Sequence, residues 1–325
     1  FPKFNYFYGG LKPKNLYAIV SRPGHGKSTF LLNLGFKCSK ETNFETKFLL
    51  LDTEMETEDI KLRTVSSITG VPMWYLETGN WRKDKDKTEK VRSALGLIKN
   101  WKVFHHKVGN KPIDEVCSIV RRWHHKNFNR LDKECKAIVA YDYIKLTGEK
   151  ISQSWKEYQA MGDKVDRLKK LAEELNIPIL TACQLNRLGE SFNRKKGSFN
   201  DDSASIAATD RLQWYATLVA IFRIKTAEER EQDGPLFGTH KFIKIKGRFQ
   251  GRGAQGFDDL IKRKINDDEY VLEHNYLNFD IKNFNVEEKG CLIDIIDQSS
   301  QDDAQLEDKK EEKEKVQNGN KGDPK

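Results

Sequence analysis

A chain of 325 residues with 37% hydrophobic and 33% charged side chains can fill one large α/β domain or two small ones, beneath a heavily charged surface. Its formal net charge of +8 is uneven: residues 284–325 carry twelve acidic against seven basic side chains, or −5, leaving about +13 on the first 283, which suits a polyanionic partner. No apolar run approaches the ~18 residues of a spanning helix, and the five cysteines (Cys38, Cys117, Cys135, Cys183, Cys291) include no CxxC pair, which fits reduced cytosolic thiols and excludes a disulfide scaffold.

In chain order, Leu16–Val20 is a short apolar run that ends in a glycine-rich turn, and TFLLNLGFK follows as a helix. Further apolar runs stand at Phe48–Asp52, Ala137–Tyr141, Pro178–Cys183 and Thr217–Phe222. Continuous runs of this length read as strands buried on both faces of a parallel sheet. The adjacent pairs His105–His106 and His124–His125 lack metal-ligand spacing. Between Trp155 and Leu175, the apolar residues Trp155, Tyr158, Met161, Val165, Leu168, Ala172 and Leu175 recur every three or four positions, as on one helix face. Repeated strand–helix–strand units predict a doubly wound α/β sheet with its ligand at the carboxyl ends of the strands. From Lys241, KFIKIKGRFQGRG suggests a C-terminal β-hairpin. The expected division is a motor domain over 1–283 and an acidic, largely disordered tail over 284–325. Because the chain begins with Phe1 rather than Met, a preceding part is expected to have been removed.

The first turn carries the clearest chemistry. Ser21-Arg22-Pro23-Gly24-His25-Gly26-Lys27-Ser28 matches the phosphate-loop pattern G-x-x-x-x-G-K-[ST] except at its first place, where Ser21 stands for glycine. The glycines let backbone N–H groups fold around phosphate oxygens at a helix N-terminus. Arg22 to Thr29 therefore form the expected nucleotide cradle, with Lys27 on the β- and γ-phosphates and Ser28 on Mg²⁺. Hydrolysis also needs acids. Asp142, directly after the Ala137–Tyr141 run, stands where the second metal ligand belongs. A general base is expected at the end of the second strand. Glu54 is the candidate, with Asp52 and Glu56 as competitors, and period-two alternation puts Asp52 and Glu54 on one side.

With these residues placed, about Tyr8 to Phe257 resembles the C-terminal motor domain of DnaB-type hexameric replicative helicases, a RecA-like P-loop NTPase. GGLKPKNLYAIVSRPGHGKSTF is similar to that family's entry into its loop, and LDTEMETEDIKLR to the segment whose Glu-Met carries the catalytic base. The resemblance thus selects Glu54, and it implies that Arg63 lies near the nucleotide phosphates. YDYIKL resembles the family's Asp-Tyr-x-x-x-Leu motif, and EELNIPILTACQLNR its third motif, in which Gln184 would sense the γ-phosphate. Lys246-Gly247-Arg248 resembles the Lys-x-Arg hairpin inserted into the neighbouring subunit's site. At the central-channel loop the family's Arg-Glu-Ser-Gly is replaced by Asp201-Asp202-Ser203-Ala204. Two acids are unfavourable against a phosphate backbone, so DNA contact is expected at Arg194, Lys195, Lys196 or Arg211 instead.

The resemblance implies an ATP (or other NTP) and Mg²⁺-dependent hexameric translocase on single-stranded DNA, moving 5′ to 3′. It implies a primase or loader as partner, no membrane, and a cytoplasmic place at the replication fork of a bacterial or phage-infected cell. The rivals are a RecA-type strand-exchange filament and a RecA-like regulatory ATPase acting on a protein.

Overall fold

The computed structural model describes residues 1–43, 45–101, 103–128, 136–145, 157–184, 210–248, 260–266 and 269–301. All five apolar runs are strands: β1 (Leu16–Ser21), β2 (Lys47–Asp52), β4 (Ala137–Asp142), β5 (Ile179–Gln184) and β6 (Leu218–Ile224), with β3 (Val103–Lys107) between the second and third of them. β7 (His240–Gly247), β8 (Leu260–Asn266), β9 (Glu269–His274), β10 (Tyr276–Lys282) and β11 (Asn285–Cys291) follow. One nine-stranded sheet runs in the order β11-β10-β7-β6-β1-β5-β4-β2-β3. Its members from β6 to β3 are parallel, and β7, β10 and β11 extend it antiparallel past β6. The helices up to β5 are α1 (Pro2–Tyr8), α2 (Lys27–Glu41), α3 (Thr57–Thr69), α4 (Met73–Glu77), α5 (Lys85–Asn100), α6 (Ile113–Asn127) and α7 (Glu157–Leu175).

Both faces of the parallel part are covered, which is why its strands are apolar throughout rather than alternating. On one face Leu16, Ala18 and Val20 of β1 join a core with α6 and α7. On the other, Tyr17 and Ile19 join α1 and α2. The start of α2 is anchored by aromatic packing: the ring of Phe30 lies 4.8 Å from Phe222, 5.6 Å from Phe242 and 5.5 Å from Phe279. Such pairs add about 0.5–1.5 kcal/mol each beyond simple burial, and here they hold the phosphate loop's helix against the sheet.

One expectation needs correction. From Lys241 on, the described chain is β-rich as read, in antiparallel pairs: β7 with β6 and β10, β8 with β9, and β10 with β11. The boundary at residue 284, however, falls inside the fold. β11 pairs with β10, residues 292–301 are helical, and Val286, Cys291 and Leu292 are fully buried. Glu288, counted above as tail charge, accepts the Lys3 and Phe4 N–H groups at 2.7 and 2.8 Å and so caps α1. Truncation at residue 284 should therefore lower the melting temperature sharply, because Val286, Leu292 and Ile295 lose about 1.5–3 kcal/mol of burial each. Truncation after residue 301 should leave it nearly unchanged, as that segment's polar composition implies. Equal losses from the two truncations, in thermal melts of both, would count against this boundary.

Candidate active site

The carboxyl ends of four parallel strands meet at one rim. Register sets Ser21 of β1 beside Gln184 of β5, and Asp52 of β2 beside Asp142 of β4. Between β1 and α2 the chain makes the phosphate loop. Gly24 and Gly26 have φ of 78° and 84°, a left-handed conformation that disfavours a Cβ. At Gly26 a Cβ would also meet Ile281 Cδ1 at 2.8 Å. His25 Nδ1 accepts the Ile224 N–H at 3.2 Å and moors the loop to the end of β6. Burial, followed by the nearby charges of Arg22 and Arg223, lowers the His25 pKa and favours its neutral form.

Inside the loop Lys27 is buried, its Nζ 4.6 Å from the centre of the Tyr143 ring. Ser28 and Lys27 stand near Asp142, whose carboxyl is raised to about 6, chiefly by burial. Ser28 and Lys27 oppose that rise; Asp52 and Glu54 add to it. Asp142 Oδ1 is buried with no hydrogen-bond partner. A hydroxyl and an unpartnered carboxylate oxygen below an anion cradle make a donor set that fits a hard divalent cation carried in with phosphates. Among the described residues no group of three or more His, Cys, Asp or Glu could hold a metal alone.

The acids after β2 are separated by geometry rather than by alternation. β2 ends at Asp52, so the period-two argument does not carry on to Glu54. Asp52 is buried, and its Oδ1 accepts the N–H groups of Glu54 and Met55, both at 2.6 Å. It closes the turn. Glu56 caps α3 and pairs with Lys107. Glu54 is left with a 58% exposed side chain at the rim, its Oε1 accepting the Tyr143 hydroxyl at 3.0 Å and lying 3.5 Å from Lys145 Nζ.

Lys27, Ser28, Glu54, Asp142 and Gln184 thus share one rim. Arg63 lies aside on α3, its guanidinium 5.1 Å from the Phe284 ring and its buried Nε without a partner. Lys246 and Arg248 stand at the opposite end of the sheet. The Arg248 N–H bonds Thr217 O, and the Thr217 N–H bonds Leu16 O, at the amino end of β1. Five residue steps of strand, about 17 Å, separate that point from Ser21. The Arg248 guanidinium rests on the Trp214 carbonyl, and neither it nor Lys246 has a carboxylate partner among the described residues. Arg211 is exposed, its stem against Gly162 of α7. Arg194, Lys195, Lys196 and the segment Asp201–Ala204 lie outside the described residues.

Sequence reasoning gave Tyr143 no role of its own. Its hydroxyl donates to Glu54 at 3.0 Å, and its pKa is pushed up to about 12, first by burial and then by Glu54. The signal available was its place directly after Asp142, as the Tyr of the Asp-Tyr-x-x-x-Leu motif.

Residues 1–231 match the DnaB-like helicase C terminal domain. The chain belongs to this family. Among curated relatives of this DnaB-like domain, the replicative DNA helicase DnaB of Haemophilus influenzae is 24% identical over 80% of the chain and 54% of that protein. DnaB of Buchnera aphidicola subsp. Baizongia pistaciae is 29% identical over the same shares, 80% and 54%. The chain spans about half the length of these relatives. Of solved structures, a DnaB-like replicative helicase described with its interactions with primase superposes with a TM-score of 0.68 at 17% identity, over 88% of this chain and 60% of that one. A second solved structure, of an ATPase domain, gives 0.64 at 17% identity, over 85% and 84%. These likenesses establish the RecA-like fold.

Proposed function

We propose that the chain is the nucleoside-triphosphate-hydrolysing motor of a replicative DNA helicase, working as a ring of about six copies on single-stranded DNA. The observation that carries this reading is the convergence of Lys27, Ser28 and Asp142 beneath an anion cradle, with the exposed carboxylate of Glu54 facing the same rim.

In this reading the loop backbone from Arg22 to Gly26 binds the phosphates through N–H groups at the N-terminus of α2. Lys27 leaves the Tyr143 ring for the β- and γ-oxygens, and Ser28 and Asp142 hold Mg²⁺. Held there, Mg²⁺ would neutralise charge on the phosphate oxygens. Glu54 orients and deprotonates the attacking water. Gln184, at the end of β5, reads the γ-phosphate, and Lys246 and Arg248 serve the site of the next copy. Arg63, with its unsatisfied Nε, turns to the phosphates as they bind. DNA contact falls to Arg211 and to Arg194, Lys195 and Lys196. The polarity is 5′ to 3′, the place a bacterial or phage-infected cytoplasm, and the further partner a primase or loader. Family membership favours this over a RecA-type filament or a regulatory ATPase.

Lys27→Ala tests the site directly. Steady-state hydrolysis and strand unwinding should both disappear, and nucleotide affinity should fall steeply, since Lys27 is the cradle's buried cation. Wild-type turnover in the purified variant would refute the loop's assignment.

A further inference from the structure

Tyr143 touches two of the proposed catalytic groups at once. Its hydroxyl donates to Glu54 Oε1 at 3.0 Å, and Lys27 Nζ stands 4.6 Å over its ring. The direction of the polar bond follows from the groups themselves: a carboxylate accepts, so the phenol proton goes to Glu54. The bond joins the end of β4 to the turn after β2.

The two members differ in how firmly they are held. Tyr143 follows Asp142 on the buried strand β4, and the next residue, Ile144, is 2% exposed with its N–H bonded to Ala182 O at 2.9 Å. The backbone of Tyr143 is therefore fixed on both sides. Glu54 sits on a turn whose backbone Asp52 holds, but its carboxylate reaches solvent. Of its two polar contacts, Lys145 at 3.5 Å is long and flexible, whereas the tyrosine hydroxyl is short and rigidly mounted.

We propose that Tyr143 is a positioning residue for hydrolysis: its hydroxyl aims the Glu54 carboxylate at the attacking water. The inference rests on Glu54 as the general base. The ring and the hydroxyl have separable tasks. The ring packs against the neighbouring core cluster and under Lys27, and the hydroxyl alone makes the bond to Glu54.

Tyr143→Phe keeps the ring and removes the bond to Glu54. The test compares wild type, Tyr143→Phe, Glu54→Gln and the double variant, measuring melting temperature, ADP affinity, and ATP hydrolysis in steady state and single turnover. Expected for Tyr143→Phe are an unchanged melting temperature, ADP affinity and KM for ATP within about twofold, and a kcat lower by about tenfold or more, the scale on which a misplaced reacting group shows. On the Glu54→Gln background the same change should cost nothing further, because the group it aims is gone. A wild-type kcat in Tyr143→Phe overturns the proposal and leaves the base assignment standing. So does an equal loss on both backgrounds, which would mean that the hydroxyl acts elsewhere. Wild-type turnover in Glu54→Gln is a different failure, removing the base assignment and this proposal with it.

Discussion

Arg248→Ala should bind nucleotide with wild-type affinity and hydrolyse it on the order of a thousandfold more slowly, the scale of a supplied arginine in phosphoryl transfer. The expectation rests on distance. Arg248 is tied to the amino end of β1 through Thr217, and its own phosphate loop opens at the carboxyl end of that strand. It cannot serve the loop of its own chain, and its guanidinium has no carboxylate partner among the described residues to explain it as a structural ion pair. Mixing Arg248→Ala with Lys27→Ala should restore part of the activity, since some interfaces then pair an intact loop with an intact arginine. Wild-type turnover by Arg248→Ala alone, measured at a concentration where the chains associate, would sink the idea.

The second large effect belongs to Glu54. Glu54→Gln should keep nucleotide affinity and lose hydrolysis by about a hundredfold or more, as expected when a general base is removed. Asp52→Asn should act mainly on stability. Its Oδ1 holds the N–H groups of Glu54 and Met55 at 2.6 Å, charge-assisted bonds that weaken in the amide. Kinetics and melting temperature measured on both variants separate the roles. If Asp52→Asn were the slower enzyme and the equal of wild type in stability, the base would have been misassigned.

The parts of this fold legible in the sequence are those whose signal is strong and local. β1 and the loop after it could be read because an apolar run, two glycines and Lys27-Ser28 stand together. Asp142 could be read because it terminates a run buried on both faces. β3 was passed over because VFHHK is half polar, as suits the sheet's outermost strand. β10 and β11 were hidden by charge: Glu287 and Glu288 look like the start of an acidic tail until Glu288 is seen capping α1, whose backbone lies 284 residues away in sequence. Between Asp52 and Glu54 the resemblance could choose and alternation could not, since alternation assumes a strand that has already ended. Tyr143 needed a contact between two strand ends, which spacing along the chain does not encode.

If Arg248 serves a neighbouring copy's loop, its place across the sheet from Lys27 has a consequence for the assembly. A two-fold pair could exchange loop and arginine only with its two sheets running antiparallel, so that each copy meets the other with both ends of its sheet. Head-to-tail stacking needs only one unlike patch from each copy. Any open stack then leaves one terminal loop without its arginine, however long the stack grows. Closure into a ring recruits that last loop, so specific activity should rise with assembly size and step up when the circle shuts.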